Sequence, residues 1–148
     1  MTTKHQFLFT KGIWLGEGEL SFTASQDKLK FYTRWVVDDE KQSTIHCEQQ
    51  VEIEGMGNNV INQFDFLDIS SEVFAINLTS ENIGKVFGKG VIDEKTIAWE
   101  FRDQPGIEGY EVYELQENGE YRFHAEYLSS EHHRSIIKGR IWRQVEEQ

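Results

Sequence analysis

The sequence contains one cysteine, Cys47, and one proline, Pro105, in 148 residues. A single cysteine excludes a disulfide within the chain and a cysteine-cluster metal site, and it is typical of a reducing compartment. No stretch rich in glycine and serine is long enough to act as a linker, and no low-complexity run interrupts the chain. The sequence therefore predicts a single domain over residues 1–148.

Positive charge and long apolar runs are also scarce. The chain has 15 lysines and arginines and 26 aspartates and glutamates, which gives a formal net charge of −11. Such a chain repels nucleic acid and anionic membrane surfaces. The apolar run Phe7-Leu8-Phe9 is far too short for a secretory signal, and no stretch approaches transmembrane length. We therefore expect a cytoplasmic protein with no nucleic-acid or membrane partner, and the sequence leaves its oligomeric state open.

Helical periodicity is absent, and alternation of apolar and polar residues takes its place. The clearest case is Ile45 to Ile53, where Ile45, Cys47, Val51 and Ile53 alternate with polar residues. Ten segments of this kind lie between about residues 12 and 143, with short turns such as Asn118-Gly119 between them. Consecutive strands must close or leave exposed edges, so we predict an all-β, ten-stranded antiparallel up-and-down barrel with little helix. The alternative, a two-sheet sandwich, needs longer crossover connections.

The first predicted strand carries the motif Gly12-x-Trp14-x-Gly16-x-Gly18, and the last carries Arg140 and Arg143. Together they resemble the calycin pattern of lipocalins, fatty-acid-binding proteins and nitrobindins. In that pattern a first-strand tryptophan closes one barrel end and a last-strand arginine packs over it. The glycine spacing most resembles the ten-stranded, nitrobindin-like branch. The resemblance implies that Trp14 is buried under the guanidinium of Arg140 or Arg143.

The predicted interior is mostly aromatic with few polar groups. Ten strands enclose more space than eight, so we expect a cavity that binds a small, largely apolar molecule without catalysis. On this inward face Gln49 and Asn62 need hydrogen-bond partners, which a ligand, a water or each other could supply. A structural barrel filled by its own aromatic side chains is the alternative. The predicted ligand-binding residues are Trp35, Gln49, Asn62, Phe64, Trp99, Phe101 and Tyr121.

The resemblance to nitrobindins also implies a second function. It implies a haem held by a histidine late in the chain, and His132 and His133 lie at such a position. The protein would then act on nitrogen oxides or peroxides. The charged neighbours Glu131 and Arg134 are equally typical of an exposed turn, and no other cofactor or metal site is predicted.

No recognised catalytic motif occurs in the chain. The glycines and lysines between Gly84 and Gly90 lack the spacing of a phosphate-binding loop, and no nucleophile elbow is present. A barrel enzyme would depend on acid–base residues inside the barrel. The candidates Glu100, Arg102, Glu126 and Tyr127 are compatible with that role, but no motif selects them.

Overall fold

The computed structural model describes residues 5–23, 25–57, 59–81, 84–104, 107–128 and 133–145. These residues form ten β-strands and no helix, so no described segment is a helix able to cross a membrane. The strands are β1 (Gly12–Phe22), β2 (Lys28–Val37), β3 (Ile45–Ile53), β4 (Asn59–Leu67), β5 (Val73–Ser80), β6 (Gly84–Ile92), β7 (Thr96–Gln104), β8 (Ile107–Leu115), β9 (Tyr121–Leu128) and β10 (Arg134–Arg143).

Each strand pairs antiparallel with its neighbour in sequence, and β1 pairs with β10 to close the barrel. The predicted ten-stranded up-and-down barrel is therefore confirmed, and two separate sheets are excluded. Closure gives every strand two partners, so none of the ten leaves an unpaired edge.

The seam between β1 and β10 depends on two facing glycines. Gly18 and Gly139 are register partners across this seam. A Cβ atom added at Gly18 would lie 2.2 Å from the carbonyl oxygen of Lys138, and one added at Gly139 would lie 2.2 Å from that of Glu17. Both distances are far below van der Waals contact. The absence of side chains here lets the first and last strands approach closely where the barrel closes.

Alternation directs one set of side chains from each strand into the barrel. On β2 the side chains of Phe31, Thr33, Trp35 and Val37 are buried, whereas the intervening ones are exposed or half-buried. The lone cysteine, Cys47, points the same way from β3 and is fully buried as a free thiol. The period of two seen in the sequence thus produces an aromatic and aliphatic interior.

Residues 5–11 form a plug that closes one end of the barrel from the inside. Phe7 is fully buried, and its ring centroid lies 5.3 Å from that of Trp14, 5.3 Å from that of Trp35 and 5.5 Å from that of Tyr121. Leu8 is buried beside it at a positive φ of 72°. The sequence pattern predicts that this segment covers the outer face of β1. Instead it inserts its aromatic and leucine side chains into the barrel end, where more apolar area is buried.

Trp14 is buried at this closed end, as the calycin resemblance implies, but neither arginine packs over its ring. Arg140 points outward, where its guanidinium lies 4.8 Å from the ring centroid of Trp142. Arg143 is the register partner of Trp14, yet its guanidinium donates hydrogen bonds to Gln6 Oε1 and to the carbonyl of Lys11. The predicted arginine–tryptophan contact is therefore not formed, since Arg140 lies over Trp142 and Arg143 bonds to Gln6 and Lys11.

Candidate ligand cavity

The end of the barrel opposite the plug contains a cavity of about 370 Å³. Side chains from eight of the ten strands form its wall, and most of them are aliphatic or aromatic. Its volume lies within the usual range for small-molecule pockets, about 300–1,000 Å³. The lining residues are Leu20, Phe31, Thr33, Trp35, Gln49, Val51, Ile53, Val60, Asn62, Phe64, Leu78, Ile107, Glu111, Tyr113, Phe123, Tyr127, Leu128, Ser135 and Ile137.

Four of the predicted ligand-binding residues belong to this wall: Trp35, Gln49, Asn62 and Phe64. Gln49 and Asn62 are register partners on β3 and β4, and Asn62 Nδ2 donates a hydrogen bond of 2.9 Å to Gln49 Oε1. The two amides therefore satisfy part of each other's hydrogen-bonding capacity. Each retains further donor or acceptor positions for a ligand.

The other three predicted residues lie elsewhere in the core. Tyr121 is at the closed end, where its hydroxyl lies 2.7 Å from His5 Nδ1. Trp99 stacks on Tyr113 with 5.0 Å between ring centroids, and Phe101 is fully buried. None of the three lines the cavity: Tyr121 packs against Phe7 at the closed end, and Trp99 packs against Tyr113, which itself lines the cavity. Among the described residues, the interior is thus filled at one end and leaves a cavity toward the other.

A carboxylate and two tyrosine hydroxyls form a polar cluster in the cavity wall. Glu111 accepts a hydrogen bond of 2.7 Å at Oε1 from the hydroxyl of Tyr113 and another at Oε2 from the hydroxyl of Tyr127. All three side chains line the cavity. The indole nitrogen of Trp99 lies near this carboxylate but makes no hydrogen bond of acceptable geometry.

Burial governs the protonation of this cluster. Desolvation raises the pKa of the Glu111 carboxyl above its usual value, although hydrogen bonds from Tyr127 and Tyr113 oppose the rise. Desolvation also raises the pKa of both tyrosine hydroxyls, and the charge of Glu111 raises them further. The hydroxyls therefore stay protonated near neutral pH and remain hydrogen-bond donors.

Two further polar atoms near the cavity have no partner. The hydroxyl oxygen of Thr33 and the indole nitrogen of Trp35 are buried without a hydrogen bond. Both residues belong to the cavity wall. Leaving a buried polar group without a hydrogen bond costs about 1–3 kcal/mol of stability. A bound molecule or water that formed a hydrogen bond with either atom would remove that cost.

The residues of the haem hypothesis contribute no ligand to this cavity as the structure describes it. His133 is exposed just before β10, and His132 lies outside the described residues. The described lining contains no histidine, cysteine or methionine side chain that could bind iron. The described lining therefore supplies no imidazole or sulfur ligand, and the haem hypothesis stays a prediction. Among the residues described there is also no cluster of three metal-binding side chains.

Of the acid–base candidates, only Tyr127 faces the cavity. Glu100 and Arg102 form an exposed ion pair on the outer face, with 3.1 Å between Oε2 and Nε. Glu126 lies on the outer face of β9, where its carboxylate is 3.2 Å from His124 Nε2. The carboxylate inside the cavity is Glu111, which the sequence reading did not select.

In the sequence, the side chains of β8 that point into the barrel could be inferred only from the length of the turn that follows the strand. A two-residue Asn118-Gly119 turn would direct Glu111 outward. In the structure Gln116 pairs with Glu120 around a three-residue loop, with Gly119 at a φ of 87°. This places Glu111 opposite Ala125, on the inner face. The one-residue difference in loop length therefore decides whether the carboxylate faces the cavity or the solvent.

Comparisons with known proteins give the fold. No protein-family model and no curated protein matches the chain. Among solved structures it is similar to the S-type phycobiliprotein lyase CPES from Guillardia theta, with a TM-score of 0.68, 8% sequence identity, and 93% of this chain and 90% of that chain covered. It also aligns with EF1p2_mFAP2b bound to DFHBI, with a TM-score of 0.45, 15% identity, and 94% and 95% covered. The likeness to the lyase structure, together with the closed ten-stranded barrel, shows the fold of a calycin-like β-barrel.

Proposed function

We propose that this protein binds a small, largely apolar molecule in the open half of its barrel and does not transform it. The observation that carries the proposal is the cavity of about 370 Å³, walled by Trp35, Phe64, Phe123 and aliphatic side chains. Removing apolar surface from water contributes about 25 cal/mol for each Å² buried. The apolar wall therefore supplies the affinity.

The few polar groups of the cavity are arranged to orient such a molecule. Glu111 with its two tyrosines forms one polar position, and the Gln49–Asn62 pair forms a second. An apolar pocket with a small number of fixed polar groups is the usual form of a small-molecule site. The likeness to the phycobiliprotein lyase extends to the fold alone, so the proposal depends on the cavity of this chain.

The plug makes the cavity one-ended. Phe7 and Leu8 are buried at the closed end, so a molecule cannot pass through the barrel. Entry is therefore from the end where Leu20, Ile53, Val60 and Leu128 line the cavity. A one-ended pocket with a preformed wall spares a ligand the cost of ordering the site on binding.

Binding of the neutral probe N-phenyl-1-naphthylamine tests the proposal. Its emission rises in apolar surroundings, and we expect saturable binding to the parent protein. Val51 lies in the cavity wall, so Val51→Trp should fill the cavity and weaken binding by about tenfold or more, a loss of roughly 1.4 kcal/mol.

Val91→Trp is the matched control, because Val91 is 55% exposed and lies in a shallow groove on the outer face of the barrel. This variant should bind the probe as the parent does. Loss of binding in Val91→Trp with retention in Val51→Trp would move the site to the outer groove. That result, or no saturable binding to the parent protein, would refute the proposal.

A further inference from the structure

Glu111 is the only ionisable carboxylate among the described residues that line the cavity, and no lysine, arginine or histidine accompanies it there. Its neighbours in the wall are the rings of Tyr113, Tyr127 and Phe123 together with aliphatic groups. A buried charge without an opposite charge is costly, and proteins usually pair it. Once Glu111 ionises, the described part of the cavity wall therefore presents a negative group and no counter-ion.

The hydrogen bonds of Glu111 leave room for a ligand. A carboxylate offers about four acceptor positions. The hydroxyls of Tyr113 and Tyr127 occupy one on each oxygen. These hydroxyls are neutral donors, so they satisfy part of the hydrogen bonding without supplying positive charge. The remaining acceptor positions suit a group with several N–H donors.

We propose that the molecule bound in the cavity carries a protonated amine, whose ammonium group pairs with Glu111 while its apolar body lies along Trp35 and Phe64. This inference rests on the proposed function, since it names the chemical class of the same ligand. An ammonium supplies the missing positive charge and up to three donors. Aromatic faces around the site also attract an organic cation.

Other ligand charges fit this wall less well. An anion would meet the Glu111 carboxylate inside a protein whose formal net charge is −11. A metal ion would find one carboxylate and two tyrosines, and the described residues hold no cluster of three acidic, histidine or cysteine ligands. A neutral ligand would leave the carboxylate without a counter-ion. Among the four possibilities the organic cation satisfies both the charge and the donors.

The titratable side chains that face Glu111 are Tyr113 on its own strand and Tyr127 on β9, while its neighbour on β7 is the non-titratable Trp99. Burial raises the pKa of Glu111 and of both tyrosines. An ammonium beside the carboxylate favours its ionised form. Affinity for the amine should therefore increase as Glu111 ionises with rising pH, until the amine itself loses its proton.

Three probes of nearly equal size test the inference by isothermal titration calorimetry near neutral pH. These are 4-phenylbutylamine, which is cationic, 4-phenyl-1-butanol, which is neutral, and 4-phenylbutyrate, which is anionic. We expect the amine to bind the parent protein about tenfold or more tightly than the alcohol, and the carboxylate to bind most weakly. The Glu111→Gln variant should bind the amine no more tightly than the alcohol.

Glu100→Gln is the matched control, because Glu100 carries the same carboxylate on the outer face of the neighbouring strand. It should keep the preference for the amine. If Glu111→Gln fails to fold, a pH series on the parent protein serves instead: the preference for the amine should increase as Glu111 ionises, and a preference that does not change with pH would overturn the inference. Equal binding of amine and alcohol by the parent would overturn the amine inference and leave the proposed function standing. Absence of binding by all three probes would refute both, and a preference that survives in Glu111→Gln would place cation recognition elsewhere.

Discussion

The hydroxyl of Tyr127, on β9, donates a hydrogen bond to Oε2 of Glu111, on β8, and the absence of a side chain at Gly109 makes this contact possible. Gly109 is the register partner of Tyr127. A Cβ atom at Gly109 would lie 2.4 Å from Cδ1 of the Tyr127 ring, so the ring lies directly over the glycine. From there its hydroxyl reaches the carboxylate two residues further along β8.

The raised pKa of Glu111 predicts a pH-dependent stability that Glu111→Gln removes. Burial raises the carboxyl pKa above 4.5, so the folded protein keeps a proton that the unfolded chain loses. This contribution is fully present below about pH 4.5 and is lost as pH rises through the folded-state pKa. Urea unfolding from about pH 4.5 to 8 should show the free energy of unfolding of the variant rising relative to that of the parent as pH increases.

The Glu100→Gln variant provides the comparison for this series, since the carboxylate that it removes lies on the outer face. It should follow the pH dependence of the parent. If Glu111→Gln also follows the parent across the whole range, Glu111 does not carry the buried charge that we assign to it.

The barrel seam predicts a large cost for a side chain at Gly18. In Gly18→Ala the methyl group would meet the Lys138 carbonyl and the Cα of Gly139, and neither can move without separating β1 from β10. We expect a loss of about 1–3 kcal/mol in the free energy of unfolding, measured by urea titration. Gly57→Ala is the control, because a Cβ there meets no atom within 4 Å. Equal stability of the two variants would show that the seam is looser than the structure indicates.

The plug predicts a large loss of stability on truncation of Phe7. Its ring is fully buried against Trp14, Trp35 and Tyr121, so Phe7→Ala should cost about 3–5 kcal/mol. Thermal unfolding followed by circular dichroism measures this. Phe87→Ala makes the same change at a ring that is 55% exposed and lies under Lys85 Nζ, and it should cost about 1 kcal/mol or less. Similar midpoints for the two variants would contradict the role of residues 5–11 as a structural plug.

The architecture could be predicted because it depends on local alternation, which is visible without knowledge of contacts. All ten strands follow from that pattern, and the first-strand motif indicated the calycin-like barrel fold. The inward face of β8 could not be predicted, because it depends on whether the turn after Leu115 contains two or three residues. The plug was also missed, since its burial depends on a non-local fit between Phe7 and rings from β1, β2 and β9.

Haemin titration distinguishes the apolar-ligand proposal from the haem hypothesis. The described cavity lining offers no imidazole or sulfur ligand, so we expect no sharp Soret band when haemin is added. A band that appears with the parent and is lost in His132→Ala or His133→Ala would establish haem ligation instead. His124→Ala is a suitable control, because His124 lies on the outer face beside Glu126 and should not affect the result.

Methyl chemical-shift mapping of the protein with N-phenyl-1-naphthylamine tests the central claim most directly. Leu20, Val51 and Leu78 carry methyl groups in the cavity wall, whereas Val73 and Val91 are exposed on the outer face. If the open half of the barrel is the binding site, the first three should shift progressively and saturate together while the last two stay unchanged. Shifts confined to Val73 and Val91, or to neither set at saturating probe, would contradict the account.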